Sequence, residues 1–227
     1  MRVREVMTSA RLATVRPGDT LPLAAQIMVW SNARHLPVVR NGEVVGVVSQ
    51  RDLLGRQRAE RAGATATVQD VMHAPAITVD AHAPLASAVS LMFEHKLGCL
   101  PVLGAAPEAR TEAATEAATE ARTLVGILTT TDLMRHMLDA AAARPADRLP
   151  RTVRAIMRPP PAGVTNPTDL IDAAALIVRA DAPLTTAVAE LLNQNVGVLP
   201  VVGEDGKLVG TLSYPDLIHA LQESEDA

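Results

Sequence analysis

The chain has 227 residues, and its 21 Lys and Arg against 25 Asp and Glu give a formal net charge of −4 at pH 7. Only Trp30, Phe93 and Tyr214 are aromatic, which excludes a basic surface with an aromatic stacking platform for nucleic acid. No charge-free apolar stretch reaches the roughly 18 residues of a membrane helix. The first five residues lack an apolar signal region, and the single Cys99 has no internal disulfide partner. We therefore expect a soluble cytoplasmic protein with neither nucleic-acid binding nor membrane insertion.

The first sixty residues predict five elements in the order strand, helix, strand, strand, helix. These are the strand 13–15, the helix 21–32, the strands 36–40 and 43–48, and a helix that begins after Ser49. Asp19 is the predicted N-cap of the first helix. Asn41-Gly42 is a strong signal for a two-residue hairpin between the two adjacent strands.

Four phrases then recur three times in the same order, which predicts three structural copies. The opening phrase V-x-x-V/I-M ends at Met7, Met72 and Met157. The helix phrase begins at Leu21, Leu85 and Leu184. The strand phrase with a central L-P-V ends at Val39, Leu103 and Val202. The last phrase, Gly, two aliphatic or small residues, Ser or Thr, two variable residues and Asp, occupies 46–52, 126–132 and 210–216.

The copies occupy 1–63, 64–143 and 144–227, and two of them carry insertions. In the second copy a low-complexity stretch at 105–123 falls at the tip of a hairpin, where extra chain is best tolerated. Its glutamates recur every four residues and would repel on one helix face, which favours a mobile solvated segment. A short helix or a partner contact is the alternative. The third copy has a Pro-rich insertion at 158–168, which favours polyproline conformation over a helix.

The phrase ending in Asp permits two interpretations. Ser or Thr followed three residues later by an acidic residue is typical of a capping box, which serves the free N–H groups of a helix's first turn. The same helix N-terminus favours a phosphate, and a carboxylate one turn into the helix accepts hydrogen bonds from ribose hydroxyls. The residues alone leave helix initiation and nucleotide binding open.

The ordered phrases resemble the cystathionine-β-synthase (CBS) domain, whose tandem pairs form a Bateman module. The resemblance covers the chain apart from the two insertions and the acidic tail. It implies an α+β fold of tandem repeats, each with a small three-stranded sheet and two helices, and adenosyl ligands bound in clefts between paired repeats. It also implies that the Asp of the last phrase binds ribose and that the Ser or Thr lies near ribose or phosphate. Those positions are Ser49, Asp52, Thr129, Asp132, Ser213 and Asp216.

The resemblance implies further ligand-binding residues near the strand openers and the central prolines. They are Thr14, Arg34, His35, Pro37, Arg51, Thr78, Cys99 and Pro101. Arg34, His35 and Arg51 make the first copy the better phosphate-facing half; an ordinary exposed arginine and a structural histidine are the alternatives at Arg34 and His35. The third copy departs from the pattern, with Ile177 in place of a threonine and Pro215 early in its last helix. We therefore expect the third copy to serve dimerisation.

The resulting hypothesis is a stand-alone regulatory sensor in which the first two copies form one Bateman module. Its ligand is AMP, ADP or ATP, with S-adenosylmethionine or a cyclic dinucleotide as further options. No catalytic motif, required cofactor or metal-ligand spacing is present, so we expect no enzymatic activity. A homodimer and an unidentified regulated enzyme or transporter are the expected partners. The alternative is a ligand-free dimerisation or scaffold module with non-functional clefts.

Overall fold

The computed structural model describes residues 1–57, 66–105, 122–143, 152–167, 176–194 and 196–225. Short 3-10 helices lie at Val3–Glu5, Val68–Asp70 and Val153–Ala155. The α-helices are α1 (Leu21–Ser31), α2 (Gln50–Gln57), α3 (Leu85–Glu94), α4 (Thr130–Ala143), α5 (Leu184–Asn193) and α6 (Tyr214–Glu225). The strands are β1 (His35–Arg40), β2 (Glu43–Ser49), β3 (Val79–Asp80), β4 (Cys99–Ala105), β5 (Arg122–Thr129), β6 (Val178–Arg179), β7 (Val198–Val202) and β8 (Leu208–Ser213). None of the described helices is long and apolar enough to cross a membrane.

Each copy builds one small sheet, in the predicted element order. The second and third copies form three-stranded sheets β3-β4-β5 and β6-β7-β8, in which a short first strand pairs in parallel with the first strand of an antiparallel hairpin. In the first copy the predicted strand 13–15 is reduced to Val15, which bridges Val38 in parallel beside the β1-β2 hairpin. The α+β fold of tandem repeats is thus confirmed.

Local sequence signals set the turns and helix ends. Asn41 and Gly42 both have positive φ, 53° and 85°, as a two-residue hairpin requires, so that prediction is confirmed. The predicted cap at Asp19 is wrong: Thr20 caps α1 by accepting a hydrogen bond from the Leu23 N–H, whereas Asp19 accepts one from Arg16 N–H. In the second copy Ala105 pairs with Arg122 across the hairpin, and the inserted residues 106–121 lie outside the described ranges.

The described chain divides into two compact units, one of Met1–Ala88 with Leu97–Thr129 and one of Val89–Lys96 with Thr130–Ala227. The first unit contains the sheets of the first two copies, with β2 against β5. The second unit contains the end of α3, helix α4 and the third copy. There α4 packs against α5 and α6, and the Phe93 ring stacks on His219 with centroids 5.3 Å apart.

The opening segments of the first two copies are exchanged. Thr8 and Ile127 exchange two backbone hydrogen bonds of 2.9 Å, so the segment that opens the first copy pairs with the second copy. His73 and Val47 exchange two of 2.8 and 3.0 Å, so the segment that opens the second copy pairs with the first. The buried side chain of Val68 accordingly belongs to the core of the first copy.

The third copy retains its own opening segment. Arg158 and Thr211 exchange backbone hydrogen bonds of 2.8 and 2.9 Å, and Val153 N–H donates to Ala182 O at 3.0 Å. The connection from Arg158 to β6 contains the Pro-rich insertion and is longer in sequence than the connection from His73 to β3.

Candidate functional site

The hairpin register brings the strand phrase and the Asp phrase of each copy together. His35 pairs opposite Ser49, Cys99 opposite Thr129, and Val198 opposite Ser213. The residue two positions before each central proline therefore lies across from the Ser or Thr that precedes the last helix. The repeated spacing thus produces the same arrangement in all three hairpins.

Ser49 and Asp52 form a capping box at the start of α2. The Ser49 N–H and hydroxyl donate to Asp52 Oδ2 at 2.7 and 2.6 Å, and the Asp52 N–H donates to Ser49 Oγ at 3.3 Å. Ser213 and Asp216 repeat the first two bonds at 2.8 and 2.5 Å. These residues therefore have a role in helix initiation. Within the described part of the chain, the hydrogen bonds to the Asp52 carboxylate all go to Oδ2.

His35 lies at the boundary between the first two copies. A Cβ atom built on Gly98 would lie 2.7 Å from His35 Nε2, so the imidazole packs directly on the Gly98 backbone. Burial lowers the pKa of His35 to about 4, Arg34 lowers it further in the same direction, and Asp52 opposes both. His35 is therefore uncharged at pH 7 and would contact a phosphate through a neutral N–H.

The remaining predicted residues are distributed as follows. Thr14 and Arg51 are exposed, Arg34 and Thr78 are half-buried, and Pro37, Cys99, Pro101 and Asp132 are buried. The Arg34 carbonyl accepts the Gln50 N–H at 2.8 Å, which joins the start of α2 to the loop before β1. Burial raises the pKa of Cys99 to about 12, which keeps it a thiol. Thr129 ends β5, and Asp132 lies in the first turn of α4.

Sequence reasoning missed the residue that follows each opening phrase. His73 Nδ1 lies 3.5 Å from Asp52 Oδ2, and the Arg158 guanidinium forms an ion pair with Asp216. The opening phrase itself was the available signal, since each of these residues directly follows its methionine. Only the exchanged packing reveals which carboxylate each one faces. Within the described ranges, no three His, Cys, Asp or Glu side chains group as metal ligands.

The glycine that begins the Asp phrase is required by the same packing. A Cβ atom on Gly46 would lie 2.9 Å from both the Met72 Sδ and the His73 carbonyl oxygen. On Gly210 it would lie 2.6 Å from the Arg158 carbonyl oxygen. The glycine therefore admits the opening segment against the strand and brings the residue after the methionine next to the Asp.

The family model described as the CBS domain matches residues 3–58, 68–113 and 153–223. These matches cover most of the chain, so the chain belongs to the CBS domain family. The family resemblance inferred from the repeated phrases is confirmed.

Several known proteins are similar to this chain over part or most of its length. The CBS domain-containing protein YhcV of Bacillus subtilis is 31% identical over 101 residues, which are 44% of this chain and 71% of YhcV. Homoserine O-acetyltransferase of Methanohalophilus mahii is 31% identical over 45% of this chain, but the match spans only 20% of that enzyme. Protein MJ1225 of Methanocaldococcus jannaschii is 16% identical, with a TM-score of 0.71 over 97% of this chain and 100% of its own. The likeness to MJ1225 concerns the fold.

Proposed function

We propose that this CBS-domain chain is a regulatory sensor that binds an adenine nucleotide or related adenosyl ligand between its first two repeats. The observation that carries the proposal is the composite cluster at that boundary. Asp52 and His35 come from the first repeat, while His73 and Gly98 come from the second. A ligand at this cluster would contact both repeats, so its binding would favour one arrangement of the pair over another.

The chemistry of the cluster fits a nucleoside phosphate. Asp52 Oδ2 is used by Ser49, which leaves Oδ1 as the acceptor for a ribose hydroxyl. The N-terminus of α2 and the side chains of Arg34 and Arg51 supply positive charge for phosphate. None of the chain's three aromatic residues belongs to the strand or Asp phrases of the first two repeats; Tyr214 lies in the Asp phrase of the third. Adenine would therefore be held by aliphatic side chains and backbone groups.

The second repeat supplies the related set Thr129 and Asp132, with Cys99 and Gly98 in place of basic residues. Neither Cys99 nor Gly98 carries a charge that pairs with phosphate. We therefore expect the first repeat to select for phosphate and the second to accept the nucleoside with little dependence on phosphate number.

Thermal unfolding with AMP, ADP, ATP, S-adenosylmethionine and a cyclic dinucleotide tests the proposal. A ligand at a hundred times its Kd should stabilise the folded chain by about 2.7 kcal/mol if it binds the native state alone. Unchanged melting curves with every compound would reject the sensor function.

A matched pair of variants separates ribose binding from helix capping. Asp70 forms a similar capping box with Thr67, whose N–H and hydroxyl donate to Oδ2 at 2.8 and 2.9 Å. D52A and D70A should both lose a cap, whereas only D52A should weaken AMP binding, by at least tenfold. Equal AMP affinity in the two variants would assign Asp52 to capping alone.

The capping boxes favour a second candidate, a scaffold module with empty clefts. Ser49–Asp52 and Ser213–Asp216 are fully explained by helix initiation, and such a module would use the repeats for association only. In either case we propose a cytoplasmic protein without enzymatic activity or a required cofactor. Under the sensor proposal, it acts on an unidentified enzyme or transporter.

We also propose a homodimer. The sequence predicts pairing through the third copy, but the exposed apolar side chains favour the helices of the first. Trp30 on α1 is 77% exposed and Leu54 on α2 is 57% exposed. At the position of Leu54, the second copy has Met134, which is fully buried on α4 where that helix packs against the third copy. A second chain covering the first copy would bury Leu54 in the same way. Sedimentation of W30S and of a chain truncated near residue 150 distinguishes the two faces.

A further inference from the structure

Asp216 of the third repeat is enclosed by contacts within the chain. Its Oδ2 accepts two hydrogen bonds from Ser213, and its Oδ1 lies against the Arg158 guanidinium. The Asp216 side chain is only 2% exposed, whereas the Asp52 side chain is 15% exposed. Both oxygens that a ribose hydroxyl would need are therefore engaged or covered in the third repeat.

The backbone holds Arg158 in this place. Its N–H and carbonyl both pair with Thr211 in β8, and Met157 packs on Gly210 immediately before it. At the same position beside the other two sheets, Thr8 pairs with Ile127 of the second repeat, and His73 pairs with Val47 of the first repeat. The side chain that follows the opening phrase is thus a threonine hydroxyl in one repeat, an imidazole in another and a permanently charged guanidinium in the third.

The electrostatics of the three positions differ accordingly. The His73 and Arg158 side chains are both largely exposed, at 76% and 62%, but the carboxylates differ: Asp52, 3.5 Å from His73, keeps 15% of its side chain exposed. Arg158 neutralises a carboxylate that is almost completely buried, and removing one partner of such a pair leaves an uncompensated charge. Ribose hydroxyls are uncharged and do not replace the cation.

We propose that Arg158 is an internal counter-ion that closes the third repeat to ribose and confines nucleotide binding to the first two repeats. The inference rests on the proposed function, since it concerns which of three similar carboxylates accepts the ligand. On this proposal, the single residue Arg158 explains why the third repeat differs from the first two, and it determines how many nucleotides one chain binds.

Equilibrium dialysis of the full chain with radiolabelled AMP tests this by counting bound AMP per chain. The variant R158T places a threonine beside Asp216, as Thr8 is placed beside the second repeat. It should bind one AMP per chain more than the unmodified chain. The control R154T removes an exposed arginine from the same opening segment and should leave the count unchanged. If R158T does not fold by circular dichroism, R158H retains a partner for Asp216 and should show the same gain.

The reverse substitution H73R places the permanent cation beside Asp52 and should remove one bound AMP. An unchanged count in folded R158T or R158H would overturn the proposal, as would a loss, because Arg158 would then be a phosphate ligand. Retention of the full count in H73R would also overturn it. If the unmodified chain binds no AMP, the proposed function fails for this ligand; a gain in R158T still supports the counter-ion, and no gain refutes it.

Discussion

Acidification should destabilise the fold through His35. Burial among the strands of the first unit, followed by the charge of Arg34, lowers the His35 pKa from 6.5 to about 4. Between these values the unfolded chain binds a proton that the folded chain does not, so the free energy of unfolding falls as the pH drops through 6.5 towards 4. The whole gap corresponds to about 3 kcal/mol, at 1.36 kcal/mol for each pKa unit.

Urea unfolding at pH 7 and pH 5 measures the effect in the unmodified chain and in H35Q, which is neutral at both values. The difference in unfolding free energy between the two proteins should change by about 2 kcal/mol from pH 7 to pH 5, because most protonation of the unfolded histidine occurs in this interval. H95Q, which removes an exposed histidine, is the matched control. A pH-independent difference between the unmodified chain and H35Q would refute the argument that burial keeps this imidazole neutral.

Three further changes test the packing described above. G46A should cost about 1–3 kcal/mol in urea unfolding because its Cβ would lie 2.9 Å from Met72 Sδ, whereas G18A, in open space, should cost far less; equal losses would contradict the close packing. S213A should lose about 1 kcal/mol of stability through the cap of α6, and an unchanged melting temperature would count against that role. Cys99 should resist a thiol reagent at pH 8 in the native chain and react once unfolded in urea, because burial raises its pKa to about 12; rapid native labelling would show that the strand opens.

Local chemistry made much of the fold predictable from the sequence. The Asn41-Gly42 pair specifies its hairpin because both residues tolerate positive φ. The Ser49–Asp52 spacing specifies a helix start because the two side chains are one turn apart. The same reasoning predicted Asp19 as the cap of α1, but the cap is Thr20; both residue types cap helices, and only the backbone geometry separates them.

The sequence by itself determined the three copies, their element order and the hairpin turn at Asn41-Gly42. These features depend on periodicity and turn residues, which act over a few residues. Only the tertiary structure decided where the opening segments pack, and hence that His73 faces Asp52 and Arg158 faces Asp216. Local sequence does not make that choice, because Gly46, Gly126 and Gly210 each admit an opening segment in the same way. The choice decides which carboxylate is accessible, because a side chain from a distant part of the sequence supplies the neighbouring charge.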